Sequence, residues 1–137
     1  MRRVFLDANV LFSAAYGSPG IRILWQWAKD RRHELLASTH VVEEARRNLV
    51  EARHVARLDE LLQHVARAAT PPPDLRCPIE LPDGDREAFL AALAAGATHF
   101  LTGDVRHFDP YYGKRYGGML VQAPATYVEA FKTERLA

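Results

Sequence analysis

Two acidic residues follow two short apolar runs of the sequence. Asp7 comes directly after VFL, and Asp104 comes two residues after HFLT. Each run is typical of a buried strand, and a buried charge is costly unless it is paired or holds a metal ion. The carboxyl ends of parallel strands lie at one edge of a sheet, where ligands bind in open α/β folds. We therefore expect Asp7 and Asp104 to be neighbours at this edge, where a partner or a bound metal ion would offset the cost of burying their charges.

Alternating strands and helices must position these acids. The apolar patterns predict strands over residues 3–6, 34–37, 98–102 and 119–122, and helices over 20–31, 41–53, 54–69, 85–95 and 124–132. The helices over 41–53 and 54–69 are either an antiparallel pair or one bent helix. The run TPPPD, residues 70–74, ends the second of them because proline lacks a backbone donor. The alternation is typical of an α/β fold with a mostly parallel sheet of about four to five short strands.

The start of the 85–95 helix is a third place for an acid. Asp85 joins the other two only if the irregular segment 74–84 returns to the carboxyl edge of the sheet.

A further feature is the helix over 20–31, which has two apolar stripes, one of them formed by Ile23 and Trp27. Such a helix is either buried on both faces or uses one face for a partner.

Composition limits the class of protein. The 137 residues fit a single domain over 1–137, with 48% hydrophobic and 26% charged residues, as in an ordinary globular protein. No apolar run suits a signal peptide or a membrane span. The single cysteine, Cys77, excludes an internal disulfide framework and favours a cytoplasmic location. A net charge of +1 does not by itself indicate a nucleic-acid-binding protein.

Four short motifs narrow the prediction. LDANVLFSA, the S-x(5)-E step that begins at Ser38 in STHVVEE, DGDREAFLAALAAGA and FLTGD occur in this order. Together they resemble the PIN-domain family of metal-dependent ribonucleases, over nearly the whole chain from Val4 to Phe131. The match is closest to the bacterial PIN proteins that include VapC-type toxins. The resemblance implies a PIN-like three-layer α/β/α fold around the central sheet.

The resemblance also assigns four acids to the catalytic and metal-binding site. They are Asp7, Glu44, Asp85 and Asp104, with Mg²⁺ or Mn²⁺ as the implied ion, since both take carboxylate ligands. Such an ion can neutralise a phosphate and activate water for attack. No His and Cys spacing in the chain indicates zinc.

Two of these assignments have a neighbouring rival. Glu43 adjoins Glu44, which we favour because helical spacing places Glu44 beside Val41 and next to the core stripe. Asp83 competes with Asp85, and the family's D-x-x-D step is here only D-x-D. We favour Asp85 because it stands at the helix start.

Supporting residues flank the acids. Asn9 is expected to hydrogen-bond Asp7 or a phosphate, unless it is an ordinary turn residue, and Thr102 to orient a ligand, unless it is an ordinary strand threonine. The loop after Asp104 mixes bases and aromatic rings, which suit single-stranded RNA by stacking and phosphate contact. The alternative is a polar loop with Phe108 turned inward. The RNA-contact candidates are Arg106, His107, Tyr111, Tyr112, Lys114 and Arg115.

The predicted function is therefore a metal-dependent endoribonuclease that hydrolyses RNA with activated water. The resemblance implies the toxin of a toxin–antitoxin system, with an antitoxin protein as partner and a homodimer, formed through the helix that bears Trp27. An RNA-processing enzyme is equally compatible with the sequence. The rival from another class is a catalytically inactive PIN-fold module for RNA binding or regulation. A phosphatase with Asp7 as nucleophile is disfavoured, because D-A-N stands at 7–9 where D-x-D is needed.

Overall fold

A six-stranded sheet forms the centre of the molecule. The computed structural model describes residues 1–136, so that Ala137, the end of the predicted domain, lies outside the described residues. The strands are β1 (Arg2–Leu6), β2 (His33–Ser38), β3 (Val65–Ala68), β4 (His99–Leu101), β5 (Arg115–Tyr116) and β6 (Met119–Gln122). Their order is β3-β2-β1-β4-β6-β5, and every pair is parallel except β5 with β6.

Helices connect the strands and cover both faces of the sheet, as expected for a three-layer α/β/α fold. They are α1 (Ala8–Ala15), α2 (Pro19–Lys29), α3 (Thr39–Asn48), α4 (Ala52–Leu62), α5 (Asp83–Ala94), α6 (Val105–Phe108) and α7 (Pro124–Leu136). A short 3-10 turn, Asp109–Tyr111, follows α6. Ser38 begins α3, and its Oγ accepts a hydrogen bond from the backbone N–H of Val41 at 3.4 Å. None of the described helices has the length and apolar character needed to cross a bilayer.

The carboxyl ends of the central strands β1 and β4 are buried. Val4, Phe5 and Leu6 of β1 are fully buried, and Phe5 stacks on Phe100 of β4 with ring centroids 5.5 Å apart. Residues buried on both faces of a parallel sheet form continuous apolar runs rather than alternating ones. The pairing of Leu6 with Leu101 brings the ends of β1 and β4 together.

The structure differs from the predicted elements in three places. The helix predicted over 54–69 ends at Leu62, and residues 65–68 form the edge strand β3. The predicted loop after Asp104 contains α6 and β5, so the sheet has six strands rather than four to five. The helix α1 was not predicted, because the helix expected in this part of the chain began at residue 20.

The expected partner contact through Trp27 is wrong. Trp27 is 2% exposed, and its ring stacks on Phe131 of α7 with centroids 4.2 Å apart. Trp25, on the other stripe, is also buried, and its Nε1 donates to the Leu61 carbonyl at 2.9 Å. Both stripes of α2 are therefore covered by the chain itself.

Candidate metal centre

Asp7 lies at the junction between β1 and α1. It is the N-cap of α1, and its Oδ1 accepts a hydrogen bond from the Ala8 N–H at 2.9 Å. Its own N–H donates to the carbonyl of Leu101, the last residue of β4, at 3.0 Å. Burial, with smaller contributions from the charges of Asp85 and Glu44, raises the pKa of Asp7 to about 6, although the hydrogen bonds from the Ala8 N–H and the Thr102 hydroxyl lower it.

Thr102 and Asn9 hold the second carboxylate oxygen of Asp7. Thr102 Oγ1 donates to Asp7 Oδ2 at 2.9 Å, and Asn9 Nδ2 donates to the same oxygen at 3.3 Å. Thr102 Oγ1 also accepts from the Asp104 N–H at 3.1 Å. Asn9 Oδ1 accepts from the Gly103 N–H at 2.6 Å. Both predicted supporting residues therefore connect the end of β1 to the loop that carries Asp104.

Glu44 lies on α3 and lines the same cleft as Asp7. Its neighbour Glu43 is exposed to solvent and does not line that cleft. Asp85, in the first turn of α5, is half-buried and lines the cleft, whereas the Asp83 side chain is 96% exposed and pairs with Arg86 at 3.3 Å. The geometry thus favours Glu44 and Asp85 over their sequence neighbours.

Asp85 and Asp104 are bridged by a histidine. His107 Nδ1 lies 2.8 Å from Asp85 Oδ2 and 2.6 Å from Asp104 Oδ2. Asp85, Asp104 and His107 each offer one ligand atom within 4.8 Å of the other two, a spacing at which the three residues could hold a metal ion. Burial, followed by the nearby charge of Asp104, raises the pKa of Asp85, although His107 opposes the shift. We expected His107 to contact RNA, and its place among the acids was not anticipated.

A single cleft of about 580 Å³ joins the four acids. Its lining residues are Asp7, Ala8, Asn9, Phe12, Glu44, Asn48, Asp85 and Asp104. The sequence interpretation missed Phe12 and Asn48 as lining residues. Asn48 had a signal, because it stands four residues after Glu44 and helical spacing places it on the same face. Phe12 had no such signal, because it lies on α1 and this helix was not predicted.

Comparison with known proteins agrees with this geometry. The sequence model of the PIN domain matches residues 3–106, which carry all four acids. The chain belongs to the PIN-domain family. The match covers the elements from β1 to the first residues of α6, and so confirms the family resemblance and the fold expected from it.

The fold of this PIN domain also occurs in a solved bacterial complex. It matches a chain in the crystal structure of VapBC2 from Rickettsia felis bound to a DNA fragment from their promoter, with a TM-score of 0.61. The alignment covers 88% of this PIN domain and 98% of that chain, at 13% identity. Identity at this level shows a shared fold. No curated protein matches the sequence.

The donor set of the PIN domain suits a hard divalent cation. All four acidic side chains offer oxygen, the ligand atom that Mg²⁺ and Mn²⁺ take in proteins. Carboxylates gathered in one cleft repel one another, and a cation relieves this repulsion. Burial is the main cause of the raised pKa values of Asp7 and Asp85, and the neighbouring carboxylates add to it. The residues therefore fit the ion that the family implies.

The loop after Asp104 is ordered by its own contacts. Tyr112 Oη donates to the Thr102 carbonyl at 2.7 Å, and Tyr111 Oη donates to the Glu80 carbonyl at 3.1 Å. Phe108 is fully buried, as the alternative to an RNA-binding loop required. The side chains of Arg106, Lys114 and Arg115 are exposed. Contact of this loop with RNA stays a prediction, and the three cations are the side chains free to make it.

Proposed function

We propose that this PIN domain is a metal-dependent endoribonuclease that hydrolyses phosphodiester bonds of RNA. The observation that carries the proposal is that four carboxylates from four separate parts of the chain line one cleft. Asp7 follows β1, Glu44 lies on α3, Asp85 begins α5 and Asp104 precedes α6. Each is placed by a different secondary-structure element, which argues for a built site rather than a chance group of surface charges.

Asp7, Asp85 and Asp104 would hold Mg²⁺ or Mn²⁺, and Glu44 would hold or orient it through water. When bound, the ion supplies a positive charge for the scissile phosphate and lowers the pKa of a water molecule that attacks it. Thr102 and Asn9 fix the direction of the Asp7 carboxylate by the hydrogen bonds described above. This prior alignment reduces the reorganisation that the site needs when substrate arrives.

The exposed cations near the cleft support a nucleic-acid substrate. Arg106 lies on α6, two residues after Asp104, and Lys114 and Arg115 follow in the same loop. We propose that these side chains contact phosphates of the substrate strand. We propose RNA rather than DNA as the substrate class, as the family resemblance implies.

We further propose that the protein is the toxin of a toxin–antitoxin pair and that it forms a homodimer. The support is the fold shared with a chain of the VapBC2 complex. Because Trp27 is buried within the chain, the proposed dimer does not use its side chain. An antitoxin would act by blocking the acidic cleft. Expression of the wild-type chain should arrest bacterial growth, and Asp104→Asn should abolish the arrest.

The test of the nuclease is cleavage of a labelled single-stranded RNA in Mn²⁺, in Mg²⁺ and in EDTA. We expect cleavage in metal only, and a loss of at least ~100-fold in Glu44→Gln and Asp85→Asn. The neighbouring acids provide matched controls, because Glu43→Gln and Asp83→Asn make the same chemical change just outside the cleft. Both controls should retain cleavage within about threefold.

Three outcomes would contradict the proposal. Cleavage that persists in EDTA would exclude a metal-dependent mechanism. An equal loss in Glu43→Gln and Glu44→Gln would place the chemistry outside the cleft. Metal-independent binding of RNA without cleavage, under all three conditions, would favour the inactive RNA-binding module.

A further inference from the structure

We infer that His107 is a direct ligand of the divalent ion, through Nδ1, and that this nitrogen makes the site prefer Mn²⁺ over Mg²⁺. The inference rests on the proposed function, because it presumes that Asp85 and Asp104 hold an ion. It selects Mn²⁺ from the two ions considered above. It also adds one nitrogen ligand to a set of ligands that otherwise consists of carboxylate oxygens.

The first argument is the spacing of the three donor atoms. His107 Nδ1 is 2.8 Å from Asp85 Oδ2 and 2.6 Å from Asp104 Oδ2. Neighbouring ligands of a six-coordinate ion with bonds of roughly 2.1 Å lie about 3 Å apart. The two nitrogen–oxygen distances are thus close to those between neighbouring ligands of a shared ion, and the three residues each offer a ligand atom within 4.8 Å of the others.

The second argument is that an ordinary hydrogen bond fully accounts for only one of the two contacts. His107 Nδ1 is hydrogen-bonded to Asp104 Oδ2, and an imidazole nitrogen carries at most one proton. Asp85 Oδ2, at 2.8 Å, can then only share that proton in a weaker three-centre bond. A cation in place of that proton would contact the nitrogen and both oxygens at once.

The third argument is that the fold fixes the backbone of His107. Asp104 is the N-cap of α6, and its Oδ1 accepts from the His107 N–H at 3.3 Å. The next residue, Phe108, is fully buried, and its ring lies 5.3 Å from that of Phe100. The backbone of His107 is therefore held on both sides, and the imidazole can stay beside Asp85 and Asp104 when an ion arrives.

The preference for Mn²⁺ follows from the donor type. Mg²⁺ takes oxygen ligands and keeps much of its water, whereas imidazole nitrogen suits first-row transition ions. Replacing one oxygen ligand by nitrogen therefore favours Mn²⁺ relative to Mg²⁺. This choice of ion depends on His107 alone, because the other proposed ligands are carboxylates.

The test is calorimetric titration of the metal-free full chain with MnCl₂ and with MgCl₂. We expect His107→Leu to lower the affinity for Mn²⁺ by at least ~10-fold and to change the affinity for Mg²⁺ by less than about threefold. The exposed His64 gives a matched control, and His64→Leu should bind both ions like wild type. In Mn²⁺-loaded protein, electron spin echo spectra should show coupling to a ligand ¹⁴N, and His107→Leu should remove it. His107→Gln serves as a second variant if His107→Leu does not fold.

Unchanged Mn²⁺ affinity, or ¹⁴N coupling that persists in the variant, would overturn the inference and leave the nuclease proposal intact. Tighter binding of both ions by His107→Leu would also overturn it, since His107 would then be a competing counter-charge. Failure of wild type to bind either ion at millimolar concentration would overturn the proposed function together with the inference.

Discussion

The buried carboxyl of Asp7 opposes folding when no metal is bound. At residue scale, the site gathers acids whose charges are costly in the folded state, above all at Asp7, whose pKa rises to about 6 from an ordinary value of 3.8. Such strain is typical of functional sites. It is tolerated because the hydrogen bonds from Ala8, Thr102 and Asn9 hold the carboxylate in one position.

Asp7→Asn should therefore stabilise the metal-free protein while abolishing cleavage. The pKa of Asp7 is higher in the folded state than in the unfolded state. Protonation of Asp7 therefore stabilises the folded state at low pH, and this stabilisation is lost as pH rises from about 4 through 6. At pH 7 in EDTA, we expect the free energy of unfolding of the variant to exceed that of wild type by about 1–3 kcal/mol. The gap should shrink as pH falls toward 4, as measured by urea unfolding.

The control for this prediction is Asp83→Asn, which removes an exposed acid outside the cleft. It should change stability by less than about 0.5 kcal/mol across the same pH range. A variant Asp7→Asn that is less stable than wild type at pH 7 would show that the carboxylate hydrogen bonds outweigh the cost of burying its charge.

The sequence predicted those site residues whose positions follow from their own strand, and it did not predict a residue whose position depends on the packing of distant elements. Asp7 and Asp104 follow buried strands, so their position at one edge of the sheet could be inferred from the sequence, and their place in a shared cleft agrees with that inference. His107 could not be placed, because its contact with Asp85 depends on how α5 and α6 meet across the molecule. That packing leaves no periodic signal in either segment.

At element scale, the junction of β1 and β4 aligns the site. Thr102 follows β4 directly, and its hydroxyl donates to Asp7 and accepts from the N–H of Asp104. One side chain thus connects two of the proposed metal ligands. Because Thr102 is fully buried, no water is available to replace these hydrogen bonds.

Thr102→Val should weaken both stability and cleavage. Valine has nearly the same shape but lacks the hydroxyl, so the Asp104 N–H and Asp7 Oδ2 each lose a partner. We expect a loss of about 1–3 kcal/mol in the free energy of unfolding and a fall in cleavage rate of roughly 10-fold or more. Urea unfolding and the RNA cleavage assay measure the two effects.

The exposed Thr126 of α7 provides the matched substitution. Thr126→Val should leave both measurements close to wild type. Equal effects of the two variants would mean that the Thr102 hydroxyl has no special part in aligning Asp7 and Asp104.

Two elements show why secondary structure was predicted only in part. α1 has eight residues and is N-capped by Asp7, which we had interpreted only as a metal ligand, so its start signal was overlooked. β3 lies in a segment whose apolar spacing continues that of α4, yet the chain pairs there with β2. Parallel pairing with a distant strand outweighs local helical spacing, and periodicity alone does not report it.

At the scale of the whole molecule, α2 and α7 form an aromatic layer against the sheet. Trp27 stacks on Phe131, and His33 of β2 contacts the Tyr127 hydroxyl at 2.9 Å and the Leu24 carbonyl at 2.8 Å. This layer accounts for the two-faced apolar pattern of α2 without a partner protein. It joins the C-terminal helix to the first half of the chain.

Trp27→Ala should destabilise the protein without changing its oligomeric state. Removing a buried indole leaves a cavity between α2 and α7, and we expect a loss of about 3–5 kcal/mol in the free energy of unfolding. The exposed neighbour Gln26 supplies the control, since Gln26→Ala should have little effect on stability. Urea unfolding gives the stability, and sedimentation velocity gives the oligomeric state of both variants. A Trp27→Ala protein with wild-type stability and weaker self-association would restore α2 as an interface.

The pairing of β1 with β4 has a consequence for synthesis on the ribosome. Thr102, the partner of Asp7, is made 95 residues after it, or about 5 to 20 seconds later at ordinary elongation rates. Until then β1 lacks its neighbour β4. The cleft lacks Asp85 for most of that time and lacks Asp104 throughout. Until Asp104 has been made, a nascent chain therefore carries an incomplete set of the proposed metal ligands.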